Sequence, residues 1–176
     1  MKHTVIIAEA GVNHNGSLEL AKQLIDAASV AGVDYVKFQT FKAENVVTKK
    51  AKQAEYQKKN IGDDNDSQFQ MLKKLELSQA DHELLISYCK EKRIHFFSTA
   101  FDFDSIDYLA SLNLPLWKIP SGEITNYPYI RKIAQIGKPI ILSTGMCEVE
   151  DIHNAVDTLL KFGLKKDQIT ILDRKS

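Results

Sequence analysis

Eight side chains of this sequence could carry chemistry together: Glu9, Lys37, Gln39, Thr99, Lys118, Ser121, Glu123 and Ser143. Each ends or follows a short apolar run. Lys37 lies in Val36-Lys37-Phe38 and Lys118 in Trp117-Lys118-Ile119. One lysine at a strand end is usually only solvated. Two of them, each set in an otherwise apolar strand, suit an anion. Ser121-Gly122 and Ser143-Thr144-Gly145 add hydroxyls and glycine-adjacent backbone N–H groups, which fit a phosphate or carboxylate. Glu9 and Glu123 supply carboxylates for holding a sugar or moving a proton. His14 has no second histidine at ligand spacing, so it reads as a loop-ordering residue rather than a metal ligand.

These residues need elements to bring them to one place. Val5-Ile6-Ile7-Ala8 is a continuous apolar run, the mark of a strand buried on both faces. Ser17 then caps a helix with an apolar face of Leu20, Leu24, Ala27, Ala28 and Ala31, ended by Gly32. Residues 33–38 form the second strand. Residues from about 40 to 78 are irregular, with a charged tract at 49–59 and a loop signature at Gly62-Asp63-Asp64-Asn65-Asp66-Ser67. The alternation then resumes. Helices are expected at 79–92, with Leu84, Leu85, Tyr88 and Cys89 on one side, and at 104–112, 126–135 and 149–162. Strands are expected at 5–9, 94–98, 116–119, 139–143 and 169–172.

Six strands and five intervening helices predict a parallel α/β fold with right-handed crossovers. A doubly wound sheet and a barrel both fit. No Gly-x-Gly-x-x-Gly follows the first strand, which weakens the dinucleotide-binding option. Polar residues at the C-terminal ends of nearly every strand favour a (β/α)8 TIM-type barrel, whose active site lies at that face. A closed barrel needs eight strands and typically about 250 residues. Residues 1–176 therefore read as one partial barrel domain with about six strands.

The 23 basic and 23 acidic residues balance, which argues against a nucleic-acid partner held by a diffuse basic surface. The apolar fraction of 44% suits a buried core rather than a disordered chain. Cys89 and Cys147 are far apart, so neither a disulfide framework nor a zinc module is expected. No run approaches the roughly 18 apolar residues of a membrane span. The N-terminus lacks a signal peptide's apolar stretch. The expected setting is cytoplasmic.

Five motifs, in order, resemble the N-acetylneuraminate (sialic acid) synthase family. They are Ile7-Ala8-Glu9-Ala10-Gly11-Val12-Asn13-His14-Asn15-Gly16, Val36-Lys37-Phe38-Gln39-Thr40, Phe97-Ser98-Thr99-Ala100-Phe101-Asp102, Trp117-Lys118-Ile119-Pro120-Ser121-Gly122-Glu123 and Ile141-Leu142-Ser143-Thr144-Gly145-Met146. The insertion at 51–77 resembles the bacterial members. The resemblance implies condensation of phosphoenolpyruvate with N-acetylmannosamine to give N-acetylneuraminate and phosphate. It implies that Lys37, Thr99, Lys118, Ser121 and Ser143 bind phosphoenolpyruvate, that Glu9 and Gln39 contact the sugar, and that Glu123 lies near the reacting carbons. It also implies a divalent cofactor, manganese or magnesium, that polarises the aldehyde, and a homodimer.

The family's two metal-binding histidines lie beyond the matched motifs, so no metal ligand is assigned here. Its final barrel strands and C-terminal antifreeze-like domain have no counterpart in this sequence. Legionaminic and pseudaminic acid synthases are alternatives, because they share the phosphoenolpyruvate site and differ at the sugar. A non-enzymatic truncated fragment is the competing reading.

Overall fold

The computed structural model describes residues 3–48 and 67–173. The charged tract at 49–59 and the Gly62–Asp66 part of the loop signature lie outside them. The element order is β1 (Ile7–Gly11), α1 (Leu18–Val30), β2 (Tyr35–Thr40), α2 (Ala43–Val46), α3 (Gln68–Leu75), α4 (Gln79–Glu91), β3 (His95–Ala100), α5 (Phe103–Ser111), β4 (Trp117–Ile119), α6 (Tyr127–Ala134), β5 (Ile140–Ser143), α7 (Val149–Lys161) and β6 (Ile169–Leu172). β1 pairs with β2, β4 with β5 and β5 with β6, each in parallel. Among the described residues the six strands form two three-stranded sheets, β1-β2-β3 and β4-β5-β6, rather than a closed barrel wall. The chain divides into two compact units, Met1–Phe96 and Phe97–Ser176.

In the first unit, β1 begins two residues later than the apolar run predicts. Val5 and Ile6 are exposed. The Ile6 N–H donates to the Asp34 carboxylate at 2.7 Å, and Asp34 N–H donates back to the Ile6 carbonyl at 3.0 Å. This exchange fixes where pairing starts. β2 correspondingly runs to Thr40, so Lys37 and Gln39 lie within the strand rather than at its end. In β2 burial alternates, with Val36, Phe38 and Thr40 buried and Lys37 and Gln39 half-buried. Phe38 stacks on Phe96 at 5.6 Å between centroids.

Ser17 caps α1 as expected, accepting from Leu20 N–H. The helix buries Ala21, Ile25 and Ala28; of the expected Leu20, Leu24, Ala27, Ala28 and Ala31 only Ala28 is buried, and the stripe is otherwise turned by one position. Burying one side chain the size of Ile25 stabilises by about 1.5–3 kcal/mol. In α4 the buried stripe is His82, Leu85 and Cys89, while Leu84 is exposed. Among the described residues, the stretch read as irregular at 40–78 holds two helices, α2 and α3. Ser67, the last residue of the loop signature, caps α3. Its hydroxyl accepts from Gln70 N–H, and the Gln70 side chain reaches back to Ser67 N–H.

In the second unit, β4 is only three residues long, between Pro115 and Pro120. Proline lacks the ladder N–H, which keeps the strand short. Burial falls across this sheet. β4 is wholly buried, β5 is buried except at Ser143, and Thr170, Ile171 and Leu172 of β6 are exposed. The core beneath includes Ile106, Leu109, Ile130, Ile133 and Leu159.

Candidate active site

In the first unit three of the sequence-derived residues come together around Gly11. β1 pairs with β2 so that Glu9 is opposite Lys37 and Gly11 opposite Phe38, with a bulge between. The bulge aims the strand end differently from the ladder below it. Lys37 Nζ lies 2.5 Å from Glu9 Oε2. The lysine side chain is 12% exposed and the glutamate 54%. Gly11 has φ +54°, and a Cβ there would sit 3.1 Å from Glu9 Oε1 and 3.6 Å from Gln39 Nε2. Glycine suits the left-handed backbone, while a side chain there would press only on the movable ends of Glu9 and Gln39.

The loop that follows is tightly fitted. Asn13 Nδ2 donates to the Ala10 carbonyl at 3.0 Å. His14 is fully buried, and its Nδ1 accepts from Gly16 N–H at 3.0 Å. Burial, then the charge of His82, hold its pKa below the usual imidazole range. The ring is therefore neutral, and its Nε2 carries the proton without a hydrogen-bond partner. This supports the loop-ordering role read for His14. Gly16, at φ +76°, passes so close to α3 that a Cβ would fall 2.1 Å from the Lys74 carbonyl oxygen.

His82 is a residue that the motif reading missed. Its Nδ1–H donates to the Ser78 carbonyl at 2.8 Å, so its Nε2 accepts from the Thr40 hydroxyl at 2.7 Å. The end of β2 is thereby tied to the first turn of α4. The available signal was its place on the Leu85–Cys89 stripe, where a polar residue must find partners.

In the second unit the candidates lie on the C-terminal parts of β3, β4 and β5 and the turns that follow. Lys118 is 8% exposed, and its Nζ donates to the Ile119 carbonyl at 2.9 Å. Thr99 is buried, and its hydroxyl has no partner among the described residues. Buried hydroxyls are normally satisfied, so this one remains able to donate a hydrogen bond to a ligand. Ser121–Glu123 forms a single 3₁₀ turn after Pro120. The Cys147 thiol donates toward the Ser121 carbonyl at 3.7 Å, joining this turn to the loop after β5. Asn126 Nδ2 donates to Glu123 Oε2 at 2.7 Å, while its Oδ1 caps α6. Tyr129 is buried under the same turn. Its hydroxyl donates to the Ala100 carbonyl at 2.7 Å, and burial, then Glu123, push its pKa far upward. Ser143 ends β5 opposite Leu172 of β6.

The divalent ion implied by the resemblance finds no matching donor set here. Among the described residues no group of three or more His, Cys, Asp or Glu side chains could hold a metal. No helix among them is long and apolar enough to cross a membrane.

Parallel α/β units carrying lysine, hydroxyl and carboxylate groups at their strand ends define the class of ligand-binding α/β enzymes to which sialic-acid-type synthases belong. The chain belongs to the NeuB family, which it matches over residues 24–176. It is 54% identical over 172 residues to the N,N'-diacetyllegionaminic acid synthase of Campylobacter jejuni, covering 98% of this chain and 51% of that protein. It is 34% identical to the N-acetylneuraminate-9-phosphate synthase of Drosophila melanogaster, covering 90% of this chain and 42% of that one. The crystal structure of N-acetylneuraminic acid synthetase from Leptospira borgpetersenii, in complex with citrate, superposes with a TM-score of 0.80 at 28% identity, over 98% of this chain and 54% of that one. The chain thus spans about half the length of the relatives it matches. The higher identity falls on the legionaminic side, the alternative already raised by the sequence.

Proposed function

We propose that this chain carries the phosphoenolpyruvate-binding strand ends of an N,N'-diacetyllegionaminic acid synthase. The protein would condense phosphoenolpyruvate with a 6-deoxy diacetamido sugar, releasing phosphate. The observation that carries the anion-binding half is the orphan hydroxyl of Thr99. A phosphate or carboxylate oxygen there would accept the hydrogen bond that no protein group accepts. The 54% identity to a legionaminic acid synthase supports the sugar.

In this reading Lys37, Lys118, Ser121 and Ser143 join Thr99 on phosphoenolpyruvate, neutralising its charge and holding C3 toward the aldehyde. Glu9 and Gln39, gathered about Gly11, hold the sugar. C3 attacks the aldehyde carbon as its oxygen takes a proton. Water adds to C2, and the tetrahedral intermediate expels phosphate by C–O cleavage. Asn126 fixes one oxygen of Glu123, leaving Oε1 to face the reacting carbons.

The test is phosphate release by the full-length protein with two sugars, N-acetylmannosamine and its 6-deoxy diacetamido relative. A higher kcat/KM for the 6-deoxy sugar is expected. Equal or greater efficiency with N-acetylmannosamine would return the assignment to the neuraminate side.

A further inference from the structure

A groove of 610 Å³ lies between α6 and α7 in the second unit, lined by residues that take no part in the reaction above. Its size is within the range of small-molecule sites, about 300–1,000 Å³. Arg131, Lys132 and Lys161 line it together with Tyr127 and Phe162, and no acidic residue does. Lys132 is neutralised by Asp107 at 2.7 Å. Arg131 and Lys161 have no carboxylate within ion-pair distance among the described residues.

Both of these cations turn onto one ring instead. The Arg131 guanidinium lies 4.8 Å from the centroid of Phe162, and Lys161 Nζ lies 5.9 Å from it. Lys161 has an acid one turn back, Asp157, in the orientation that ordinarily forms a helical pair. It does not form that pair. Two like charges therefore line one groove beside the same ring, without a carboxylate partner among the described residues. Such an arrangement gains from an anion in the groove that both line. The planar fork of Arg131 suits the oxygens of a phosphate, and its stacking on Phe162 orders it in advance. The exposed ring of Tyr127 offers a flat apolar surface for a second part of the ligand.

We infer that this groove is a nucleotide-binding site, with a phosphate held by Arg131 and Lys161 and the base laid against the exposed ring of Tyr127. The inference is independent of the proposed synthase reading, because no strand-end residue contributes to the groove.

The test titrates the 176-residue chain with AMP, adenosine and inorganic phosphate, followed by calorimetry and amide chemical shifts. AMP should bind saturably and more tightly than either part alone, with shifts confined to α6 and α7. Arg131→Ala and Lys161→Ala should each weaken AMP by about tenfold, whereas Lys132→Ala should change it little. Should Arg131→Ala lower the thermal midpoint, Arg131→Gln is the variant to read. No binding at millimolar AMP overturns the proposal. So does AMP binding no tighter than phosphate or adenosine, or binding that survives both substitutions.

Discussion

Lys37 Nζ and Glu9 Oε2 stand 2.5 Å apart, with the ammonium side chain nearly buried and the carboxylate half in water. An anionic ligand reaching Lys37 meets a competitor already in place. Glu9→Gln keeps the size of the side chain and removes its charge. In the full-length protein the KM for the sugar should rise about tenfold or more, as for a lost charged hydrogen bond. The KM for phosphoenolpyruvate should stay the same or fall, because Lys37 is released. Steady-state kinetics with each substrate varied separately checks this. A rise confined to phosphoenolpyruvate would show that Glu9 serves the anion instead.

Thr99→Val separates ligand binding from folding. The hydroxyl is buried without a partner, and an unsatisfied buried polar group costs about 1–3 kcal/mol. The variant should be as stable as the parent or more stable in chemical denaturation. Its affinity for phosphoenolpyruvate should nonetheless drop. Loss of stability would mean that the hydroxyl has a structural role.

The two buried histidines predict acid sensitivity. Burial lowers the pKa of both His14 and His82 from the ordinary 6.5. The unfolded chain then binds more protons than the folded one as pH falls through 6.5. Their contribution is fully present above that pH and is lost below it, by up to about 1.4 kcal/mol per pH unit for each ring. Thermal midpoints measured from pH 8 down to pH 5 should fall below about 6.5. His82→Gln should flatten the slope and weaken the tie to Thr40.

Gly16 and Gly32 share a left-handed backbone, yet only Gly16 faces an obstacle. Alanine at 16 would press a methyl against the Lys74 carbonyl, whereas nothing lies within 4 Å at position 32. Gly32→Ala should cost about 1 kcal/mol, the conformational part alone. Gly16→Ala should cost more than about 2 kcal/mol, because α3 or the loop must move. Urea unfolding of both variants gives the comparison.

The parallel alternation and the strand-end motifs were legible because buried strands leave continuous apolar runs and helices leave a 3.6-residue period. Ser17 and Gly32 also mark the ends of α1 as their chemistry suggests. What escaped depended on partners distant in sequence. Asp34 fixed the start of β1 through Ile6, and Val5 and Ile6 are apolar yet exposed. The stripe of α1 was misjudged by one position because leucines and alanines surround it on several sides. α3 was hidden because Ser67 reads as a loop residue until Gln70 is seen returning its hydrogen bond. His82 was hidden because its partners are a backbone carbonyl and a threonine 42 residues away.

The fall in burial from β4 to β6 has a consequence for how the second sheet breathes. Backbone amides open most readily where few buried contacts hold them. In residues 1–176 taken alone, deuterium should therefore enter β6 first and β4 last. The loop after β5 is sewn to that yielding strand, since Thr144 N–H and its hydroxyl both donate to the Leu172 carbonyl at 3.3 Å. Whenever β6 lifts, those two stitches go with it, and Ser143 loses its neighbour across the ladder. The plasticity of this hydroxyl is thus governed from the neighbouring strand rather than from β5 itself.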